Sequence, residues 1–328
     1  MLRKLSLLVL LSIVLSSCGI FQMPPDESEL PEVRYVNFKV YDPVYVGVDK
    51  GFYEEEGIQV SIVGDVIAGP NAIQAVAGGS AEAGLSSIPA LTLSSAKGLP
   101  VQGVVDIQTT LEGQALQKWY VLDESPLQSF EDVATQDVKP VYCVNIWRSS
   151  FHTTSLMAFN QRDIPEDAVE WQLLSFSNQI PALVEGECDI IGLIQPYQSY
   201  LEQEYGDQVR VLFDDYNDVY GEKHVSLIFV NRVWAKAKPE LATAFATGTA
   251  KAINWIEENQ DEARAIVSKY TEIPESAVPD YHFTENGCVR PADVQFWMDY
   301  LTDRGEFTET WVKTTDVGTD IYNTLCPK

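Results

Sequence analysis

The chain has 328 residues, and its 48 acidic side chains against 22 Lys and Arg give a formal net charge of −26. Such an acidic composition argues against a nucleic acid partner, because phosphate contacts need clustered basic residues. It also opposes binding to an anionic membrane surface. The length is sufficient for two medium-sized domains.

The N-terminal segment, residues 1–17, has the features of a secretory signal. An apolar run from Leu5 to Leu15 follows Arg3 and Lys4 and leads into Ser16-Ser17-Cys18. The run is far shorter than the roughly 20 apolar residues that span a bilayer. Its end resembles the bacterial lipobox, which implies that Cys18 becomes the lipid-modified N-terminus. We therefore expect a protein anchored by acyl chains to the extracytoplasmic face of the cell membrane, with its formal charge lowered to −28 by loss of Arg3 and Lys4.

Residues 18–32 contain three prolines and few apolar side chains, which predicts an extended tether. From Val33 onward, short apolar runs alternate with amphipathic stretches. The strands predicted in this first series are Val33–Tyr41, Ile58–Val63, Ala83–Leu85 and Val101–Ile107. The helices predicted between them are Val44–Glu56, Asn71–Ala77 and Pro89–Lys97.

A second series of the same kind follows. Its predicted strands are Val138–Asn145, Val169–Leu174, Asp189–Ile194 and Val209–Phe213, and its predicted helices are Phe151–Gln161, Gln179–Glu185 and Gln198–Glu204. A further strand, His224–Asn231, and a helix, Pro239–Glu258, precede a tail that also has a helical pattern. Alternating strands and helices are typical of βαβ units around a mostly parallel sheet. Two such series indicate an α/β protein with two domains.

Four cysteines follow Cys18, an even number that allows two disulfides in an exported chain. Cys143 and Cys188 lie in apolar runs that resemble strands, and for this pair we expect buried free thiols. Cys288 and Cys326 lie among turn residues of the tail, where a bridge could clamp a loose end. No Cys-x-x-Cys pair occurs and the sequence has three histidines, so we expect neither a metal site nor a cofactor.

Four segments, in order along the chain, carry a family resemblance: Pro43–Val60, Ala75–Gly84, Lys97–Val101 and Leu183–Asp189. They resemble segments of the ABC-importer solute-binding proteins for thiamine-pyrimidine precursors, riboflavin, alkanesulfonates, taurine and nitrate. Glu82 stands where that family usually has Asp, a mild departure.

The resemblance implies a two-domain periplasmic-binding-protein fold with two crossovers and a ligand cleft between the domains. Domain I would comprise residues 33–110 and 222–328, and domain II residues 111–221. The hinge would lie near Gln108–Ala115 and Asp214–Gly221. The implied partners are a small-molecule ligand, an ABC permease and its ATPase, and the chain itself is expected to be a monomer.

Loops at the carboxyl ends of strands in both domains should face such a cleft. The ligand-binding residues predicted on this basis are Tyr41, Asp42, Tyr45, Asn71, Ser86, Ser87, Gln108, Trp147, Arg148, Ser149, Ser177, Asn178, Gln195, Tyr197, Tyr216 and Tyr220. The aromatic members of this set could equally serve in core or rim packing. Its Asn and Ser members could be helix caps, and Arg148 could form a structural salt bridge.

These loops contain many aromatic rings and one basic side chain, Arg148, which favours a neutral, flat ligand over a sulfonate or nitrate. Riboflavin is the first expectation, followed by an aminopyrimidine precursor of thiamine and then by taurine or another sulfonate. No nucleophile, base and orienting group occur together at a plausible spacing, so we expect a binding protein, not an enzyme. The alternatives are an intracellular thiamine-pyrimidine synthase, which has a dense cysteine cluster that this chain lacks, and an adhesion or sensory module without a closable cleft.

Overall fold

The structure, a computed structural model, describes residues 30–327. The predicted signal segment, Cys18 and most of the predicted tether lie outside this range. Within it, every helix is too short or too polar to cross a bilayer.

The strands alternate with helices along most of the chain, as predicted. The strands are β1 (Glu32–Asn37), β2 (Gln59–Asp65), β3 (Ala83–Ser87), β4 (Val101–Thr110), β5 (Lys118–Leu122), β6 (Val141–Val144), β7 (Glu170–Leu173), β8 (Ile190–Leu193), β9 (Val209–Asp214) and β10 (Lys223–Asn231). The helices are α1 (Pro43–Lys50), α2 (Phe52–Glu55), α3 (Gly69–Ala77), α4 (Ile88–Ala96), α5 (Ser150–Gln161), α6 (Phe176–Val184), α7 (Tyr197–Tyr205), α8 (Arg232–Ala237), α9 (Pro239–Glu258), α10 (Gln260–Thr271), α11 (Pro291–Asp303) and α12 (Thr314–Val317).

Two five-stranded sheets organise the described residues. The first has the order β2-β1-β3-β10-β4 and the second the order β7-β6-β8-β5-β9. In the first sheet β10 runs antiparallel to β3 and β4, and in the second β5 runs antiparallel to β8 and β9. Strand β5 was not predicted, because its short run of apolar residues follows no helix. We call each sheet with its flanking helices a lobe.

The chain passes between the lobes twice, from Thr110 to Lys118 and from Asp214 to Lys223. The predicted α/β class with two crossovers is therefore confirmed. Residues 216–220 of the returning connection form one turn of π-helix. These connections overlap the predicted hinge segments, and the predicted domain limits at 110–111 and 221–222 remain a proposal.

The core of the first lobe depends on a close approach between α1 and α9. A Cβ on Gly47 would lie 2.6 Å from the Tyr53 ring, and one on Gly248 would also lie 2.6 Å from it. The ring is fully buried and stacks on Phe245 at 5.7 Å. The predicted helix Val44–Glu56 is broken at Gly51, whose φ of 76° belongs to the left-handed region that glycine adopts readily.

Two disulfides connect the four described cysteines. Cys288–Cys326 joins the C-terminal tail to the loop before α11, at a sequence separation of 38 residues. Cys143–Cys188 joins β6 to the turn before β8, at a separation of 45 residues. The expectation of buried free thiols at Cys143 and Cys188 is therefore wrong. The parallel pairing of β6 with β8 brings the two apolar runs side by side, which sequence spacing alone did not reveal.

Candidate functional site

A small cavity lies between the two lobes at the carboxyl ends of several parallel strands. Its volume is about 20 Å³, close to the space that one or two water molecules occupy. The first lobe contributes Phe38, Gly69, Pro70, Leu85, Ser86, Ser87, Gln108 and Ser226, and the second contributes Asn145, Ser149, Ser150, Phe151, Phe176 and Ile194. A ligand at this position would contact both lobes at once.

The first turns of four helices reach this cavity. It is lined at the start of α3 by Gly69, next to the start of α4 by Ser87, at the start of α5 by Ser150 and at the start of α6 by Phe176. The first N–H groups of a helix have no partner within the helix and carry a partial positive charge. Neither α3 nor α6 has a side-chain cap. Pro70 has no N–H, and the Asn71 and Asn178 N–H groups donate to the Ala68 and Ser175 carbonyls. The N–H groups of Gly69, Phe176 and Ser177 are therefore the ones available to a ligand. Four such termini around one space favour a group with negatively charged oxygens.

Uncharged polar side chains complete the polar part of the cavity. Ser86 is 1% exposed, and among the described residues its Oγ has no hydrogen-bond partner. The Ser149 Oγ donates to Asn145 Oδ1 at 2.7 Å and accepts from the His152 N–H, so it caps α5. A buried hydroxyl without a partner carries a desolvation cost that a ligand oxygen would remove. Ser86 is therefore the side chain best prepared to bind a ligand.

Three phenylalanine rings form the apolar part of the cavity. The rings of Phe151 and Phe176 are 4.9 Å apart at an interplanar angle of 62°, and the Phe38 ring lies 6.2 Å from that of Phe176 across the gap between the lobes. No lining residue is ionisable. The cavity therefore combines an uncharged apolar wall with helix N-termini and hydroxyl groups, an environment for a small molecule with one polar, oxygen-bearing end.

Four of the predicted site residues line the cavity: Ser86, Ser87, Gln108 and Ser149. A fifth, Asn71, lies in the first turn of α3, and its buried Oδ1 has no partner among the described residues. Ser87 also caps α4 by accepting from the Ala90 N–H at 3.4 Å. Ser87 therefore both caps a helix, as the sequence allowed, and lines the cavity.

Three predicted residues of the first lobe are packed into its core instead. Tyr41 stacks on Tyr281 at 4.7 Å, and Tyr45 stacks on Tyr270 at 4.5 Å. Asp42 caps α1 and accepts from the Tyr35 hydroxyl, and burial raises the pKa of its carboxyl to about 6. None of the three lines the cavity, because their rings and carboxylate already have partners within the lobe.

Four predicted residues of the second lobe lie on its surface. Trp147 is 44% exposed and packs edge-on against His152, and Arg148 is exposed in a backbone conformation with φ of 64°. Ser177 and Asn178 are exposed on α6. The structure places these side chains outside the cavity lining, and the stacking of Trp147 on a ligand stays a prediction. Helix α5 begins at Ser150, and Asn145, Ser149, Ser150 and Phe151 meet the cavity, whereas Trp147 and Arg148 between them do not.

Of the remaining predicted residues, Gln195 and Tyr197 lie where β8 leads into α7, and Tyr216 and Tyr220 lie in the connection that returns to the first lobe. The Gln195 side chain accepts from Ser199, and Tyr197 is buried beside Phe176. Tyr216 and Tyr220 belong to the π-helical turn, where Tyr220 packs against Trp297. These four residues are also absent from the cavity lining.

Ten lining residues were not among the predicted site residues: Phe38, Gly69, Pro70, Leu85, Asn145, Ser150, Phe151, Phe176, Ile194 and Ser226. Several of these are next to predicted positions and were passed over in favour of larger polar or aromatic neighbours. Ser226 could not be recognised, because β10 runs antiparallel and presents its beginning, not its end, to the cleft. A predicted helix that began at Ser150 would have placed Ser150 and Phe151 in the first turn and identified them as site residues.

The lobes contact each other directly at two places outside the cavity lining. The Tyr41 N–H donates to the Gln195 carbonyl at 3.2 Å, and Arg304 after α11 pairs with Glu166 of the second lobe at 2.8 Å. Arg304 also pairs with Glu306 of its own lobe and is 21% exposed. These contacts hold the lobes in a closed arrangement.

Glu166→Gln should therefore weaken ligand binding by up to about fivefold at low ionic strength, because an exposed ion pair contributes roughly 0.2–1 kcal/mol. The effect should disappear in 1 M salt, where the Debye length is about 3 Å. Calorimetric titration at both salt concentrations measures it. Asp167→Asn is the matched control, since Asp167 pairs with Lys139 inside the second lobe and should not affect closure. Equal effects of both variants would contradict this role for Arg304.

A buried carboxylate lies in the returning connection. Asp215 is fully buried and accepts from the Thr110 hydroxyl at 3.1 Å and from the Tyr220 hydroxyl at 3.2 Å. Burial raises the pKa of its carboxyl to about 7. The side chain thus joins the end of β4 to the π-helical turn, at the point where the chain leaves the first lobe and where it returns.

Asp215 should make the free energy of unfolding decrease as pH rises. Its folded pKa is above the ordinary value, so its stabilising effect is complete below about pH 4 and is lost as pH rises through about 7. In Asp215→Asn, the decrease in the free energy of unfolding between pH 4 and pH 8 should be smaller by roughly 3–4 kcal/mol. Urea unfolding of both proteins across this range measures the difference, and parallel pH profiles would contradict it.

The sequence profile of the family described as "NMT1/THI5 like" matches residues 39–263. This segment includes nine of the ten strands, all except β1, and every residue that lines the cavity except Phe38. No curated protein sequence matches the chain.

Many solved structures share the fold. The ligand-binding component of an ABC-type import system from Staphylococcus aureus, determined with zinc bound, is 12% identical with a TM-score of 0.73, over 89% of this chain and 97% of that one. The alkanesulfonate-binding protein SsuA from Xanthomonas axonopodis pv. citri, bound to MOPS, is 15% identical with a TM-score of 0.71, over 89% and 100%. The periplasmic nitrate-binding protein NrtA from Synechocystis PCC 6803 is 13% identical with a TM-score of 0.70, over 90% and 87%. The chain therefore has the periplasmic-binding-protein fold that was predicted.

Proposed function

The chain belongs to the NMT1/THI5-like family, and we propose that it is the extracytoplasmic, lipid-anchored solute-binding component of an ABC importer. Its ligand is a small organic monoanion with an oxygen-rich group, of which an alkane- or arylsulfonate is the first candidate. The protein acts as a monomer, captures the ligand between its lobes and delivers it to the permease and its ATPase. Catalysis is not part of this proposal.

One observation carries the choice of ligand: four helix N-termini and several serine hydroxyls meet at a cavity without ionisable residues. Oxygens with a negative charge are stabilised by the free N–H groups of first helical turns. A cation would find no carboxylate in this lining. A zwitterion such as taurine would leave its ammonium group without a partner there, so a simple sulfonate is favoured over taurine.

The three phenylalanine rings favour an organic part on the anion. Phe38, Phe151 and Phe176 would remove an alkyl chain or an aryl ring from water, with about 25 cal/mol gained per Å² of apolar surface. Nitrate has no apolar part and would gain nothing from these rings. The names of similar structures agree with this chemistry, since one of those proteins binds alkanesulfonates and was determined with MOPS.

Riboflavin, the first expectation from the sequence, has weaker support. The aromatic residues that suggested it, Trp147, Tyr197, Tyr216 and Tyr220, are outside the cavity lining. The cavity of about 20 Å³ has room for about one water molecule, so every candidate ligand requires the lobes to open, and riboflavin, as the largest, requires the widest opening. An aminopyrimidine is the second candidate, because the same phenylalanine rings and the amide and hydroxyl groups of Asn145, Gln108 and Ser86 suit a small flat heterocycle.

Calorimetric titration with a panel of ligands tests the proposal. We expect binding of butanesulfonate or benzenesulfonate, with nitrate and taurine weaker by tenfold or more, because each lacks one of the two matching parts. Preferred binding of the aminopyrimidine would support the second candidate. Tight binding of riboflavin without any sulfonate binding would overturn the assignment of an anion site.

A further inference from the structure

Most of the described Lys and Arg side chains are paired with carboxylates in this acidic protein. Within residues 30–327, five exposed cations form no ion pair: Arg148 on the second lobe, and Lys97, Lys236, Lys238 and Lys313 on the first. The four lysines and Arg232, which begins α8, form what we call the basic corner.

The strand register brings the basic corner together at one edge of the first sheet. Val101, which begins β4, is paired with Asn231, which ends β10, and Val230 is paired with Ala83 at the beginning of β3. Lys97 precedes β4 by one turn, and α8 with Lys236 follows β10 directly. The Arg232 N–H also donates to the Pro100 carbonyl at 2.7 Å, which holds the two segments against each other.

The C-terminal tail adds Lys313 to the same edge. Asp316 of α12 pairs with Arg232 at 3.2 Å, and the Gln102 side chain of β4 donates to the Thr315 carbonyl. Lys313 directly precedes α12. The basic corner is thus built from three separate segments that the fold fixes relative to one another.

Large apolar side chains lie exposed beside these cations. Val233 on α8 is 65% exposed, and Trp311, two residues before Lys313, is 55% exposed. Cations around exposed aliphatic and indole groups are typical of surfaces that contact the interface of a lipid bilayer. The carboxylates at this edge include Asp316, which is paired with Arg232, Glu82, which is paired with Arg34, and the exposed Glu32 and Glu240. The excess of positive charge is therefore local, in a chain that is otherwise strongly negative.

We propose that the basic corner rests on anionic phospholipid headgroups. The inference relies on the proposed lipid anchor at Cys18, which keeps the protein close to a bilayer. The register also supports this orientation. Tyr35 pairs with Ala83, and β1 begins three residues earlier at Glu32, so the residues that precede β1 join the first lobe at the edge that carries the basic corner. The net negative charge, which predicts repulsion from an anionic membrane, then belongs to the parts of the protein outside the basic corner.

This orientation has a consequence for the cavity. Ser86 and Ser87 at the end of β3, and Ser226 near the beginning of β10, lie at the opposite edge of the same sheet. A protein that rests on its basic corner therefore holds the cavity away from the bilayer, where solute arrives. Delivery to a permease then requires release of the basic corner from the headgroups.

Lysine labelling of the lipidated full chain tests the proposal. The protein is placed on vesicles of zwitterionic phospholipid, with or without about one third anionic phospholipid, and its amines are modified with an amine-reactive ester and quantified by mass spectrometry. On anionic vesicles, labelling of Lys97, Lys236, Lys238 and Lys313 should slow by about fivefold or more, the effect expected for a lysine held near an anionic surface. Lys139 on the second lobe, with 58% of its side chain exposed, should be unaffected. In 1 M salt the protection should disappear.

A variant series separates the surface from the anchor. Lys236→Gln with Lys238→Gln should also abolish protection of Lys97 and Lys313, whereas Lys139→Gln should not. Three results would overturn the proposal. The lysines could be protected equally on zwitterionic vesicles, they could be unprotected on anionic vesicles, or they could be protected only when a permease is present. Failure of the chain to stay with zwitterionic vesicles would instead show that the lipid anchor is wrong.

Discussion

Ser86→Ala should weaken ligand binding by between tenfold and about a hundredfold. The buried Oγ has no partner among the described residues, so it is free to donate to a ligand oxygen at the cavity. A hydrogen bond to a charged group contributes about 1.5–3 kcal/mol. The free energy of unfolding without ligand should change by less than about 1 kcal/mol, because the substitution removes a hydroxyl that pays a desolvation cost.

Ser95→Ala is the matched control for this prediction. Ser95 is also 1% exposed, and its Oγ likewise has no partner among the described residues, but it lies in the last turn of α4 and does not line the cavity. Its replacement should leave affinity unchanged. Calorimetry on the three proteins measures the comparison. Equal losses in both variants would mean that buried serines act through the stability of the lobe, and no loss in Ser86→Ala would remove Ser86 from the site.

Replacing Cys143 and Cys188 by alanine should lower the free energy of unfolding by up to about 4 kcal/mol. The bridge closes a loop with a sequence separation of 45 residues, and the loss of that constraint in the unfolded chain gives this value in the chain-entropy account. Urea unfolding of the double variant measures the loss. The bridge lies away from the cavity, so ligand affinity at low denaturant should be retained.

Reduction provides an independent test of the same bridge. Both cysteines are buried, with exposures of 0% and 1%, so a reductant should act mainly after unfolding. The pair Cys288 and Cys326 is the control, because it closes a loop of similar length in the other lobe. If the stability of the Cys143 and Cys188 variant equals that of the natural chain, the two thiols are free and the expectation from the sequence was correct.

The periodicity of the sequence predicted most of the helices and strands, because apolar spacing reports directly which face of an element is buried. The helix Pro239–Glu258 was predicted with the limits that the structure has. Apolar spacing did not reveal the direction of each strand in its sheet. Whether β10 runs parallel or antiparallel depends on where the chain returns to the sheet, and that connection is determined by packing between distant residues.

The candidate site was predicted only in part for the same reason. Ser86 and Ser149 could be selected because they end a strand or begin a helix, positions that local sequence reveals. Trp147 was selected for its ring, and the structure places it on the surface of the second lobe. Phe38 and Phe176 meet across the gap between two lobes, a contact that no spacing within one segment encodes.

The central claim is that a small organic anion binds between the lobes at the four helix N-termini. A crystal structure of the protein with benzenesulfonate tests it most directly. We expect sulfonate oxygens within about 3 Å of Ser86 Oγ and of N–H groups in the first turns of α3, α5 or α6, with the ring against Phe151 and Phe176. A ligand bound beside Trp147 or Tyr216, with the cavity unchanged, would contradict it.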